Sequence, residues 1–172
     1  PGLELRISGK GEIQVRGWSL MQGYCNDPEA TAKAFTGDGW LRTGDLGELT
    51  SDGRLRMSGR LKDVFRVGGE NVAPAEVEEV ICELDGIADA TVYGEKNQLL
   101  GSIVCAKVKL TRPEPVDELA RRVNVHCKTR LDRYKIPLKI TLSDDVQFDA
   151  RSKKMRRLLA EKAENCDPVR KP

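Results

Sequence analysis

Between Gly37 and Glu78 glycine, proline and charge punctuate the chain so densely that its local path is largely dictated there. The run opens Gly-Asp-Gly-Trp-Leu-Arg-Thr-Gly-Asp-Leu-Gly-Glu-Leu. Asp45 follows a Thr-Gly turn and lies between Gly44 and Leu46-Gly47, after an apolar-aromatic pair, Trp40 and Leu41. Further on, Gly68-Gly69 precedes a helix start with Pro74 in its first turn and acids at Glu76, Glu78 and Glu79. Between these two features stands Gly59-Arg60-Leu61-Lys62-Asp63, a charged joint between two strand-like runs.

On either side of that stretch the patterning alternates between strand and helix. Leu3, Leu5, Ile7, then Ile13 and Val15 alternate around a Gly9-Lys10-Gly11 turn and predict a hairpin. Asp27-Pro28-Glu29 is an N-cap carboxylate, a proline at N1 and a first-turn acid, so a short helix should run to about Phe35. Strands are expected at Leu46 to Leu49 and Leu55 to Met57 around a Ser51-Asp52-Gly53 turn, with Met57 reading as core, and at Val64 to Val67. Val77, Val80, Ile81 and Leu84 fall at helical spacing in Pro74 to Leu84. Strands at Ile87 to Tyr93 and Leu99 to Leu110, a helix at Val116 to Leu131, a strand at Lys139 to Leu142 and a last helix around Met155 to Ala163 complete the pattern. The expectation is an α+β protein. A β-rich segment covers 1–59, a joint 60–63, and a compact α+β domain with a sheet of three or more strands and two to three helices covers 64–172.

Bulk properties restrict function more than fold. The chain has 172 residues, 33% of them charged, with a net charge of +2, so no overall field draws it to nucleic acid or an anionic membrane. No window is apolar enough for a membrane span. The start, Pro-Gly-Leu-Glu-Leu-Arg, has neither signal-peptide character nor an initiator Met, and is expected to lie inside a longer protein. Cys25, Cys82, Cys105, Cys127 and Cys166 form no Cys-x-x-Cys pair, and are expected to be buried thiols in a reducing, cytoplasmic compartment. With His126 the single histidine, a His-based zinc site or a nucleophilic triad has too few parts, and no metal ligands are assigned.

Four blocks, in order, resemble the adenylate-forming superfamily of acyl- and aryl-CoA synthetases, luciferases and peptide-synthetase adenylation domains. They are Gly23-Tyr24-Cys25-Asn26-Asp27-Pro28-Glu29-Ala30-Thr31; Gly39-Trp40-Leu41-Arg42-Thr43-Gly44-Asp45-Leu46-Gly47; Gly59 to Asp63 through Gly68-Gly69-Glu70-Asn71 to Glu78; and Ser152-Lys153-Lys154-Met155-Arg156-Arg157. The Gly-Gly-Glu-Asn form looks most like acyl-CoA synthetases. The family's phosphate loop, acyl pocket and magnesium-holding carboxylate lie upstream of the matching residues. The resemblance therefore implies the end of a large N-terminal domain, otherwise missing, followed by the mobile lid. Such a fragment is expected to be inactive alone.

The resemblance also implies roles. Asp45 would hold both ribose hydroxyls of ATP, and an ionised carboxylate has acceptor sites for two O–H donors. Arg60 would approach ribose and phosphates, or else make a salt bridge with a nearby acid such as Asp63. Lys62 sits at the hinge between two lid orientations. Gly68 and Gly69, with Glu70 and Asn71, would face the thiol arm of coenzyme A or a carrier's phosphopantetheine, and Arg66 a phosphate of coenzyme A. Lys154 would bind the acyl carboxylate and α-phosphate during adenylation. Lys153 stands where the family has glycine, so Lys153 is the alternative register, and Arg151 to Arg157 can equally be a solvated basic face or an anion or nucleic-acid patch, the last disfavoured by the near-neutral net charge and the lack of interleaved aromatics. The implied activity is Mg²⁺- and ATP-dependent joining of a carboxylic acid to a thiol. The alternative is a non-catalytic, lid-shaped module that binds a carrier protein or other partner.

Overall fold

The computed structural model describes residues 2–143. The chain divides into two compact units, Pro1–Lys62 and Asp63–Pro172. The helix expected around Met155 to Ala163, Lys153, Lys154 and Cys166 lie outside the described residues.

The first unit is a four-stranded antiparallel sheet, β1 (Leu3–Ile7), β2 (Glu12–Gly17), β3 (Leu41–Leu49) and β4 (Leu55–Arg60), in sequence order. β1 and β2 form the expected hairpin, with Leu5 opposite Val15. Its turn is closed by Ser8, whose carbonyl accepts from Gly11 N at 2.9 Å and whose hydroxyl accepts from Glu12 N at 3.0 Å. Helix α1 (Pro28–Ala34) begins as its sequence dictates, with Asp27 Oδ1 accepting from Ala30 N at 2.8 Å. The guanidiniums of Arg6 and Arg16 both lie over the ring of buried Trp40, 4.5 and 4.6 Å from its centroid.

β3 is longer than expected and starts at Leu41 instead of Leu46. Gly44, which read as part of a turn, and Gly47 instead mark irregularities that the strand absorbs. Val15 pairs with Leu41 and Gln14 with Arg42, then the register shifts so that Glu12 faces Leu46. A second shift against β4 follows between Leu46 and Gly47. Met57, expected in the core, is 58% exposed on β4.

The second unit opens with a hairpin of β5 (Phe65–Val67) and β6 (Glu70–Val72), the latter not expected from sequence. Gly68 and Gly69 are its two-residue loop, with φ of 59° and 95°, the mirror-image turn that suits the twist of antiparallel strands. Helix α2 (Pro74–Cys82) follows, then β7 (Ile87–Asn97) and β8 (Gly101–Leu110) in a long antiparallel pair. Helix α3 (Val116–Lys128) carries the chain to β9 (Lys139–Leu142), which pairs parallel to β8. The sheet order is β7-β8-β9. Val77 and Ile81 of α2 and Leu119, Val123 and Cys127 of α3 share one buried cluster with Ala90, Val92, Val104, Ala106 and Val108 of the sheet. Each helix contributes an i, i+4 pair of apolar residues to this core.

Two polar features, one buried and one half-buried, escaped the sequence reading. Glu78, read as a first-turn acid, is 6% exposed, and its Oε1 accepts from Val92 N at 2.8 Å. Lys135 holds both Glu76, at 2.8 Å, and Asp132, at 3.1 Å. Burial pulls the Lys135 ammonium down, but the bonds to Glu76 and Asp132 outweigh it and hold it above the usual lysine range. The cysteines correct an expectation. Cys105 and Cys127 are buried, whereas Cys25 and Cys82 are exposed. Cys25 lies in the polar segment leading to α1, and Cys82 is one position, roughly 100° of helix, past buried Ile81. No helix among the described residues is long and apolar enough to cross a membrane.

Candidate nucleotide site in the first unit

Asp45 stands at the point where β3 departs from regular pairing. Between the Gln14–Arg42 and Glu12–Leu46 pairs, Ile13 is the single β2 residue opposed by Thr43, Gly44 and Asp45. Bulges of this kind bend a strand and re-aim a side chain. Gly44 takes φ 73°, a conformation that a residue with Cβ adopts only at a cost. Thr43 fixes the bend from within, since its hydroxyl donates to Ile13 O at 2.7 Å and accepts from Asp45 N at 3.1 Å.

On its other side Asp45 is the register partner of Arg60 across β3 and β4. Arg60 Nε lies 3.1 Å from Asp45 Oδ1, within ion-pair reach. The N–H is not aligned for a hydrogen bond, so that enclosed oxygen accepts none. The carboxylate keeps 22% of its side-chain surface open and the guanidinium 50%. Chemically this is an anion that retains acceptor capacity, beside a cation that can be displaced from it. Within the first unit, then, Arg60 makes a salt bridge to Asp45.

Beneath the bend lies a network of buried polar side chains that the sequence did not reveal. Glu12 is 5% and Gln14 3% exposed. Their positions alternate with apolar Ile13 and Val15, so a strand reading puts them in solvent. Burial on both faces of β2 reverses that assignment.

The remaining site residues fall elsewhere. Lys62 is exposed within the 3₁₀ turn Leu61–Asp63 that follows β4. Arg66, Glu70 and Asn71 are exposed on the β5–β6 hairpin, with Arg66 opposite Asn71. Among the described residues nothing lies within 4 Å of where a Cβ on Gly69 would sit, and Leu100 Cδ2 is 3.8 Å from that of Gly68. Gly68 N donates to Leu100 O at 2.9 Å, tying this loop to the β7–β8 turn. That turn is stiffened by Asn97, whose Oδ1 accepts from Leu99 N and Leu100 N, each at 3.0 Å. His126 is tied to Glu83 at 3.0 Å. No group of three or more His, Cys, Asp or Glu side chains suited to a metal ion occurs among the described residues.

Residues 76–154 match the family model of the AMP-binding enzyme C-terminal domain. The chain carries the C-terminal domain of the AMP-binding enzymes. Relatives and solved structures of this family align with nearly all of the chain. A curated relative is the 3-[(3aS,4S,7aS)-7a-methyl-1,5-dioxo-octahydro-1H-inden-4-yl]propanoyl:CoA ligase of Rhodococcus jostii, 41% identical across 94% of this chain. The o-succinylbenzoate CoA synthetase of Bacillus subtilis, solved with the acyl-adenylate intermediate OSB-AMP, is 35% identical, with a TM-score of 0.80 over 92% of this chain and 34% of that one. ATP-bound MatB from Rhodopseudomonas palustris is 28% identical, with a TM-score of 0.83 over 96% of this chain and 35% of that one. The chain spans about a third of the length of the curated relatives it matches, 31% for the Rhodococcus enzyme.

Proposed function

We propose that this chain is the C-terminal part of an ATP-dependent carboxylic acid–thiol ligase of the acyl- or aryl-CoA synthetase type. The observation that carries the reading is the Asp45–Arg60 pair, a bulge-presented carboxylate with an oxygen that accepts no hydrogen bond, beside a half-exposed arginine. The likeness to CoA ligases along nearly the whole chain supports it.

In this reading Asp45 accepts hydrogen bonds from the two ribose hydroxyls of ATP. Arg60, displaced from its resting partner, turns to the phosphates, where a permanent planar cation is well suited. Lys154 offsets the charge that builds as acid carboxylate meets α-phosphate. Magnesium would be held by residues upstream of those matched here, and would offset the charge of the triphosphate. Rotation about Lys62 then brings the Gly68–Asn71 loop to the adenylate. The bare backbone of Gly68 and Gly69 admits a thin pantetheine arm, whether of coenzyme A or of a carrier protein. The thiol attacks the acyl carbonyl and AMP leaves.

The test is pyrophosphate release from ATP with a panel of carboxylic acids, using the longer protein that contains this chain. Asp45→Ala is expected to raise KM for ATP by roughly 10- to 100-fold, the loss of hydrogen bonds to a charged acceptor. Lys154→Ala is expected to slow adenylation by roughly 100- to 1000-fold, as for loss of one preorganised donor. If Lys153→Ala does so instead, the register moves by one residue. The altered Ser152-Lys153-Lys154 block favours one rival, a non-catalytic module, and that reading prevails if no acid elicits pyrophosphate from the wild-type protein.

A further inference from the structure

We infer that Glu12 is a positioning residue for the nucleotide, acting through Gly44 to aim Asp45; this rests on the reading of Asp45 as the ribose ligand. At the bulge β3 cannot complete its ladder to β2, and Gly44 N is left without a strand partner. Glu12 supplies one, with its Oε1 accepting from Gly44 N at 3.2 Å. Its other oxygen, Oε2, accepts from Gln14 Nε2 at 3.1 Å and lies 3.6 Å from Arg42 Nη1. A carboxylate that is 5% exposed is costly to bury unless hydrogen bonds satisfy it. All of those bonds go to the segment that ends in Asp45 or to the residue bracing it.

The brace extends away from the site. Gln14 Oε1 accepts from Arg6 Nε at 2.8 Å, and Arg6 is fixed in turn by a two-pronged pair with Asp38, at 2.7 and 3.1 Å. The Arg6 guanidinium and the Thr36 hydroxyl hold the Asp38 carboxyl well below the usual range, so this anchor stays charged across ordinary pH. Gln14 therefore has its amide oriented with the oxygen toward Arg6 and the NH₂ toward Glu12. The Gly44 bend is held by a side chain whose own orientation is settled two residues away. Precise aim of this kind matters for a carboxylate that must meet two hydroxyls at once.

The experiment compares ATP with 2′-deoxy- and 3′-deoxy-ATP in the longer protein, measuring kcat and KM for wild type, Glu12→Ala, Glu12→Gln and Asp45→Ala. Glu12→Ala is expected to lower the preference for ATP over both deoxy analogues by roughly tenfold, the worth of about one hydrogen bond, mostly through KM. Glu12→Gln keeps a carbonyl acceptor for Gly44 N but turns an NH₂ toward that of Gln14, and is expected to retain a measurably higher preference than Glu12→Ala, a comparison that also covers the case in which the alanine variant fails to fold. Equal losses for ATP and the deoxy analogues would mark Glu12 as merely structural and overturn the inference. Asp45→Ala separates the two claims. If it abolishes the ribose preference while Glu12→Ala and Glu12→Gln leave that preference intact, only the inference falls. If Asp45→Ala leaves the preference intact, the nucleotide reading falls and takes the inference with it.

Discussion

Asp45 and Arg60 are register partners, so substitutions at the two positions should separate by what each leaves behind. Asp45→Asn keeps an acceptor oxygen but loses the charge opposite Arg60, and is expected to raise KM for ATP less than Asp45→Ala does in steady-state assays. Asp45 and Arg60 were singled out in the sequence by the family resemblance, whose motifs are written locally as turns and charges. It could not show Glu12 or Gln14, whose burial depends on what covers the second face of β2. The cysteines follow the same logic. Brief alkylation of the native chain, mapped by mass spectrometry, should label exposed Cys25 and Cys82 and spare Cys105 and Cys127. Burial, aided by the Glu95 carboxylate, pushes the Cys105 thiol up to about 12. A folded value above the unfolded one, ~8.5, means that this contribution to stability is intact below that pH and lost as pH rises toward the folded value. Urea midpoints of the second unit should therefore fall between these limits, and less steeply in Cys105→Ala.

At the scale of elements, the β5–β6 hairpin and α2 carry the most testable chemistry. Both loop glycines have positive φ, so Gly69→Ala should destabilise the second unit by about 1–2 kcal/mol in urea melts. The same change should slow thioester formation while leaving pyrophosphate release in place. Glu78 caps a backbone N–H of β7. Glu78→Ala leaves Val92 N–H buried without that acceptor, and is expected to cost about 1–3 kcal/mol by the same measurement. Start signals of helices were legible, since N-caps and prolines act within one turn. Strand extents were less so. β3 ran through two glycines because bulges accommodate them, and β6 hid behind a glycine pair read as a loop leading into a helix. β7 ran on to Asn97, held by its ladder with β8 through polar residues that carry no strand signal of their own.

Across the whole molecule the buried apolar cluster belongs to the second unit, from Val67 to Ile136. The first unit has Ile13 and Trp40 as its buried hydrophobics, and leaves Leu3, Trp18, Tyr24, Leu49 and Met57 more than half exposed. Amide exchange should accordingly be slowest in β7, β8 and α3 and fastest in β1 and β4, read by mass spectrometry over a time course. The α+β character and the order of elements were open to sequence reading, because periodicity reports them residue by residue. How well each unit is packed was not, since that depends on contacts between distant segments.

Both tryptophans, Trp18 and Trp40, reside in the first unit, and Trp40 lies under two guanidiniums. Indole emission is thus a private optical window on that unit, while far-ultraviolet dichroism, dominated by helices and the long hairpin, views mainly the other. Overlaying the two melting curves would reveal whether the halves come apart in one event or in succession.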